Sequence, residues 1–435
     1  MTVEYQEAID FLFPLHRFGI KPGLDRIEAL LSSLGHPEQR LGTIVHIAGT
    51  NGKGTVASCM ASIFQASGRK TGLFTSPHLI DFTERIRIDG QQISRQKVAE
   101  YCTRMKPVVI GQGATFFEVT TAMAFAFFAE EGVDAAVIET GMGGRLDATN
   151  VVRADIVIIP SIGIDHTAWL GDTIREIAHE KAAIIKPCSR VYTAVPEGEA
   201  LDEIIRSVER SGAELHLAEK EATVTVFDAR PGLLDLEVTL SGMNPHRFSV
   251  PLTGAFHAAN VTLAVMAASS AGVCREDIET GLSRIPSVGY RARLERISER
   301  PLVMLDVSHN PDGMEKTLQA LGEMRNSFRS LLVVVGFAAD KDAPGMIRPL
   351  ERMADVVVAV DLPSERSLSA GALGALCVGA GIREVHVCHT AAEALDHLYS
   401  IAGPEDLILV TGSFFLAGEV AAMERFHSRV AEPGY

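Results

Sequence analysis

Residues Gly49-Thr50-Asn51-Gly52-Lys53-Gly54-Thr55 constrain this chain more than any other stretch. They follow a short apolar run, Thr43 to Ala48, and precede an Ala-rich segment with helical spacing, Val56 to Ala66. Strand, glycine-rich turn, then helix is the setting in which backbone N–H groups and a helix N-terminus cradle phosphates. In such a loop Asn51, Gly52 and Gly54 shape the cradle, Lys53 reaches the terminal phosphates and the Thr55 hydroxyl faces a bound Mg²⁺. The spacing departs from G-x-x-x-x-G-K-[ST], because a glycine stands between the lysine and the threonine. The motif predicts a nucleotide-binding α/β protein.

At 435 residues the chain exceeds one ordinary core, so two or three domains are expected. A formal net charge of −15 argues against general binding to nucleic acid or anionic membranes, and any acidic substrate would need a local basic pocket. The six cysteines are scattered without C-x-x-C spacing, which reads as reduced thiols in a cytoplasmic protein. Met1 to Asp10 carries acids and no basic stretch, so no signal peptide is expected. No apolar run approaches the roughly 18 residues of a membrane span.

From Thr43 to about Lys186, short apolar runs alternate with helical patterns; Ala135–Ile138 and Ile156–Ile159 read as buried strands. Such alternation predicts a parallel sheet covered by helices, with ligands at the strand C-termini. Residues 223–250 alternate apolar and polar around the turn Asp228 to Gly232, which predicts a small antiparallel insert. A helix from about Ala258 to Ala271 follows. The polar, basic stretch Pro286–Arg293 reads as a linker, dividing the chain into domains at 1–290 and 291–435. Beyond it, Leu302–Leu305, Leu331–Val335, Val356–Val360 and Leu407–Val410 read as strands of a second α/β domain. The Gly/Ala-rich segment Ser369–Gly381 reads as a close-packed helix.

Candidate chemistry clusters at predicted strand ends. Glu139 closes one strand and opens the glycine-rich loop Thr140 to Asp147; an acid there can hold Mg²⁺ directly or through water. His166 lies in the loop after the next strand, as a metal ligand, a general base or simply a solvated side chain. Thr173 and Glu176 form a capping box for a helix predicted over Thr173–Lys186. Ile174, Ile177, Ala178, Lys181 and Ile185 share one face of that helix, so Lys181 falls on the apolar stripe. A desolvated lysine tends to lose its proton, and the neutral amine can react with CO₂ to form a carbamate; a snorkelling ammonium that reaches water is the other reading. In the second half, Asp306 and His309 sit at a strand end, and Asn310 with Pro311 starts the next helix. Gly336 to Asp342 takes the same position one strand later.

Taken in order, Gly49–Thr55, Thr75-Ser76-Pro77-His78-Leu79, Phe116-Phe117-Glu118, Glu139–Asn150, Ser161–Lys181, Asp306–Gly313, Gly336–Asp342 and Thr411-Gly412-Ser413 resemble the folylpolyglutamate synthase/dihydrofolate synthase family of the Mur ligase superfamily. The resemblance covers nearly the whole chain. It implies a P-loop-type parallel-sheet ATPase domain with a small antiparallel insert, followed by a smaller Rossmann-like glutamate-ligase domain. The implied activity is ATP-dependent addition of L-glutamate to dihydropteroate, a reduced folate or both through an acyl phosphate. By motif, Lys53 would stabilise the transferring phosphoryl group. Ser76 and Glu139 would hold one Mg²⁺, and Glu139, His166 and carbamylated Lys181 a second. Asn260, Arg293 and Asp306 would contact ATP, with His309 close to the transferring phosphate. The pterin would lie near Leu24-Asp25-Arg26, Phe116-Phe117-Glu118 and Gly144-Arg145-Leu146.

Two departures accompany the match. The family's Gly-x-His-Gln-x-x-Asn appears as Gly254-Ala255-Phe256-His257-Ala258-Ala259-Asn260, and its Pro-Gly-Arg as Arg291-Ala292-Arg293. The alternatives are a Mur-type cell-wall ligase and a nucleotide-binding regulator without ligase activity. The first is expected to carry a UDP-binding domain before the phosphate loop, where 48 residues stand here. The second has no need of Lys181 or of the Ser308–Gly313 loop. A monomer acting on small molecules, binding neither nucleic acid nor membrane, is the expected state.

Overall fold

The computed structural model describes residues 3–18 and 21–427. The chain forms two compact units, one of residues up to 224 with 238–246 and 259–289, the other of 225–237, 247–258 and 290 onward.

The first unit is built on an eight-stranded sheet. Its strands are β1 (Thr43–Ile47), β2 (Thr71–Phe74), β3 (Ile86–Ile88), β4 (Gln91–Gln92), β5 (Ala135–Glu139), β6 (Ile156–Ile159), β7 (Arg190–Thr193) and β8 (Glu214–Leu217). The order is β4-β3-β2-β5-β1-β6-β7-β8, parallel from β2 to β8 with an antiparallel edge at β3 and β4. A parallel strand covered on both faces must be apolar on both, and β5 and β6 are buried throughout. Glu139, the last residue of β5, pairs in register with Ile47 of β1. The sheet therefore delivers Glu139 to the mouth where the glycine-rich loop begins. It also extends past the expected limit at Lys186, through β7 and β8.

A three-stranded sheet, β9 (Ala222–Arg230), β10 (Leu233–Leu240) and β11 (His246–Val250), forms the expected insert in the order β11-β10-β9. Only Pro231 and Gly232 separate β9 from β10, a tighter turn than the expected Asp228–Gly232. Leu234, Leu236 and Val238 are buried, whereas Val224, Val226 and Phe227 are exposed.

The second unit holds a six-stranded sheet, β12 (Glu295–Glu299), β13 (Leu302–Leu305), β14 (Leu331–Val335), β15 (Val356–Val360), β16 (Glu384–Cys388) and β17 (Leu407–Thr411). Its order is β12-β13-β17-β14-β15-β16, parallel apart from β12. Neither edge strand was evident from the sequence. The Gly/Ala-rich segment is a helix over Ala370–Gly379.

One helix is shorter than its pattern. The capping box at Thr173 and Glu176 is present, but the helix runs only from Ile174 to Ala182. Pro187 disfavours helical geometry at the residue before it, and the chain has already left the helix when it arrives there. Lys181 thus lies in the last turn, and Ile185 falls outside the helical stripe to which spacing had assigned it. Lys186 instead donates from Nζ to the carbonyls of Asn150 and Val152.

Candidate active site

The loop after β1 is clasped from the loop after β6. Thr50 N–H donates to the Ser161 carbonyl, Thr50 Oγ1 donates to Gly163 O at 3.0 Å, and Asn51 N–H donates to Ser161 Oγ at 3.0 Å. Gly52 has φ +88°, a left-handed conformation that costs a side chain dearly, and it starts the Lys53–Ala66 helix without a side-chain cap. A Cβ there would also lie 2.5 Å from Asn260 Oδ1, so the helix His257–Ser270 brings Asn260 onto the phosphate loop. A rigid loop ending in an uncapped helix N-terminus is suited to an anion.

Two amines meet on one carbonyl inside this loop. Lys53 Nζ donates to Gly49 O at 3.0 Å and to Thr50 O at 3.3 Å, and Lys181 Nζ donates to the same Gly49 O at 2.9 Å. Lys181 is 4% exposed, which removes the snorkelling reading. Burial, and after it the neighbouring Lys53 charge, pull its amine down to about 7; Asp165 and Asp147 oppose the shift. Lys181 is therefore partly neutral at physiological pH.

Glu139 is buried and accepts from the Ser76 N–H at 3.1 Å. The buried Arg85 guanidinium, itself pulled down to about 10 mainly by burial, feels the Glu139 charge and donates to His78 Nδ1 at 2.7 Å. The loop after Glu139 is folded tightly over the Lys181 helix: a Cβ on Gly144 would sit 2.6 Å from Glu180 O and 2.9 Å from Lys181 O. Arg145 N–H donates to Glu180 O, and Arg145 Nε to Glu180 Oε1 at 2.9 Å. Leu146 is half-buried. His166 adopts φ +52° at the start of the short helix Thr167–Leu170, with Nε2 3.8 Å from Asp165 Oδ2. Trp169, on the same helix, lines an open cavity of about 430 Å³ with Leu170, Arg175 and His179.

Among the described residues, no group of three or more His, Cys, Asp or Glu side chains is arranged for a metal. The expected set contains only two of those types, Glu139 and His166. Its fit to a hard cation rests on oxygen chemistry: a buried carboxylate beside the Ser76 backbone, and Lys181 if converted to a carbamate. As an unmodified amine, Lys181 would oppose a cation.

The expected pterin residues are close to one another. Arg26, half-buried, and Glu118, buried, form an ion pair at 2.9 Å, with Glu118 also completing a capping box through Thr115 N–H and Oγ1. Their charges are therefore spent largely on each other, and Arg26 also donates to Lys21 O. Leu24 and Asp25 start the helix Asp25–Ser33 that carries Arg26. Phe116 stacks on His16 at 3.8 Å and on Phe13 at 5.9 Å, while the Phe117 ring lies against Gly141.

In the second unit Asp306 is a buried hub. Its Oδ1 accepts from Leu294 N–H; its Oδ2 accepts from Ser308 N–H, Thr317 Oγ1 and Thr411 Oγ1. The hub fixes a short segment in which Ala292 (φ +54°) and Leu294 (φ +48°) are both buried and both left-handed. Arg293 between them lies over the Phe414 ring at 5.2 Å, and His309 meets the same ring at 5.7 Å. Asn310 caps the helix from Pro311, as expected. At the departing motif, His257 is buried against Phe256, and burial with the Arg293 charge lowers its imidazole to about 3.

Sequence reasoning missed Arg85, Asp147 and Phe414. Phe414 follows the Thr411-Gly412-Ser413 motif and Asp147 ends the Glu139 loop, so both lay beside motifs that were noticed. Arg85 had no local signal.

Residues 47–268 match the Mur ligase middle domain and residues 292–414 match the Mur ligase, glutamate ligase domain. A dihydrofolate synthase/folylpolyglutamate synthase of Bacillus subtilis is 34% identical over 97% of this chain and 99% of its own. A probable bifunctional folylpolyglutamate synthase/dihydropteroate synthase of Haloferax volcanii is 35% identical over 96% of this chain, which spans only 50% of that longer protein. The Mycobacterium tuberculosis folylpolyglutamate synthase, in crystals with ADP and AMPPCP, superposes with a TM-score of 0.87 at 32% identity, covering 99% of this chain and 100% of that one. A Yersinia pestis bifunctional folylpolyglutamate synthase/dihydrofolate synthase complexed with AMPPNP and Mn gives 0.82 at 29% identity, covering 96% and 97%. Agreement of this extent in both sequence and fold reaches well beyond the phosphate loop. The chain belongs to the folylpolyglutamate synthase/dihydrofolate synthase family, ATP-dependent ligases within the Mur ligase superfamily.

Proposed function

We propose that this protein ligates L-glutamate to dihydropteroate, to reduced folates or to both at the expense of ATP. The substrate carboxylate oxygen bonds to the γ-phosphorus as the bond to the bridging oxygen of ADP breaks. The glutamate nitrogen then bonds to the acyl carbon, loses a proton and expels phosphate. Phosphoryl transfer of this kind needs mainly positioning and charge stabilisation.

The observation that carries the reading is the convergence of Lys53 and Lys181 on Gly49 O. Two amines on a neutral carbonyl suit a site whose counter-charge arrives with the nucleotide. Lys53 turns from Gly49 O to the transferring phosphoryl oxygens. In its neutral form Lys181 bonds through Nζ to the carbon of CO₂ and releases one proton, so that a neutral amine becomes a carbamate anion. Ser76, Glu139, His166 and that carbamate would hold Mg²⁺, which when bound neutralises phosphate charge. Asn260, Arg293 and Asp306 contact the nucleotide, Asp306 through the segment it anchors, and His309 stands near the transferring phosphate. Leu24, Asp25, Arg26, Phe116, Phe117, Glu118, Gly144, Arg145 and Leu146 form the pterin side. Residues 1–290 and 291–435 serve as the nucleotide-binding and glutamate-ligase domains of a monomer. Among the described residues no helix is long and apolar enough to cross a membrane; a cytoplasmic enzyme of small-molecule substrates is the reading.

Incubation with ATP, a divalent cation, L-glutamate and either dihydropteroate or tetrahydrofolate tests this. ADP release dependent on both glutamate and the pterin is expected. Turnover only with a UDP-linked muropeptide would replace the reading by the cell-wall alternative.

A further inference from the structure

Within β1, where Val45 and Ile47 are fully buried, stands a histidine that is 0% exposed. His46 Nε2 lies 2.8 Å from Thr149 Oγ1, and Thr149 Oγ1 lies 2.5 Å from Asp147 Oδ1. Asp147 Oδ2 accepts from the Gly141 and Met142 N–H groups, both at 2.9 Å, and its Oδ1 also accepts from Thr149 N–H. Every neighbour of this carboxylate is a donor, so it is held as an acceptor even though burial raises its pKa. The one hydroxyl proton of Thr149 therefore points to Asp147, and His46 must donate from Nε2. That tautomer leaves Nδ1 as a bare acceptor, and among the described residues it has no partner.

A buried polar atom without a partner is a cost that a leucine at this position would not carry. Burial lowers the His46 imidazole to about 3, so the ring stays neutral and serves as a fixed donor. What the arrangement achieves is orientation of Asp147, and through it of the Gly141 and Met142 backbone. Those two residues stand between Glu139 and Gly144-Arg145-Leu146.

We propose that the buried His46–Thr149–Asp147 chain is a positioning device that ties the 140–147 loop to the strand feeding the phosphate loop, setting the place of the pterin acceptor relative to the nucleotide. The proposal rests on the ligase reading for its kinetic consequence but not for its structural one. None of the three residues needs to touch substrate.

The test compares Thr149→Val and His46→Leu, which break the chain, with Thr149→Ser and His46→Gln, which keep a hydroxyl or a donor. Amide exchange at Gly141 and Met142 should accelerate about tenfold in the breaking variants and return toward wild type in the conservative ones. kcat/KM for the pterin acceptor should fall about 10- to 100-fold while KM for ATP stays within about twofold. The two breaking variants guard against the loss of either one to misfolding. Unchanged exchange at Gly141 and Met142 would overturn the proposal, as would a Thr149→Ser enzyme no better than Thr149→Val. So would wild-type kinetics in all variants with only a lowered Tm. A wild type inactive with every pterin would defeat the ligase reading alone, since the exchange data decide the positioning role independently.

Discussion

At the end of β1 the chain gathers amines and leaves them on a backbone carbonyl; at the end of β13 it gathers donors around a single carboxylate until that carboxylate is full. Both loops follow a parallel strand and both precede a helix. In the first, Lys53 and Lys181 share Gly49 O, and among the described residues neither forms an ion pair. In the second, Asp306 receives two backbone N–H groups and two threonine hydroxyls. The same topological position thus supports two designs. One holds interaction capacity in reserve for a ligand; the other consumes it to hold the chain still.

If the first loop is the reactive one, Lys53→Ala should lower kcat about 10²- to 10³-fold without changing Tm, measured by ADP release and thermal melting. Near-normal turnover would erase the distinction between the two loops. Lys181→Met should cost about 10- to 100-fold in activity and yet raise stability. The folded amine titrates near 7 against 10.5 in the unfolded chain, so between those values the unfolded state holds a proton that the folded state lacks. Wild-type stability accordingly climbs from pH 7 toward 10.5. The advantage of the methionine variant should be largest below pH 7 and fade across that window in CO₂-free urea titrations.

The second loop should behave in the opposite way. Asp306→Asn is expected to lose about 2–3 kcal/mol of stability in urea, because an amide places donors against donors. KM for ATP should rise with it as Arg293 loses its anchor. Arg293→Lys is the smallest change: loss of the guanidinium over Phe414 should weaken ATP binding by about 1 kcal/mol, roughly fivefold in KM, with the melt unchanged. A Lys variant with wild-type KM would remove Arg293 from the nucleotide site.

What was legible in the sequence was local. The phosphate loop, the strand ending at Glu139, the cap at Asn310 and the apolar placement of Lys181 all follow from patterns within a few residues. Contacts between distant segments left no such trace. Arg26 meets Glu118, and His46 meets Thr149, only after the sheet is assembled. The strands β12, Glu-Arg-Ile-Ser-Glu, and β16, Glu-Val-His-Val-Cys, escaped notice because edge strands keep polar residues and lack the continuous apolar run of a central parallel strand. Pro187 accounts for a helix that stops by Lys186, but the end at Ala182 had no such local signal.

Trp169 is the one tryptophan in the chain, 52% exposed and three residues beyond His166. An indole half in water emits in a way that depends on its surroundings. Any ligand that reorders the Asp165–Gly171 segment will therefore change the fluorescence of the native protein, with no label attached. Excited selectively, this single chromophore reports on the cavity it lines with Leu170, Arg175 and His179, so events beside His166 can be timed in a stopped-flow instrument within a single turnover.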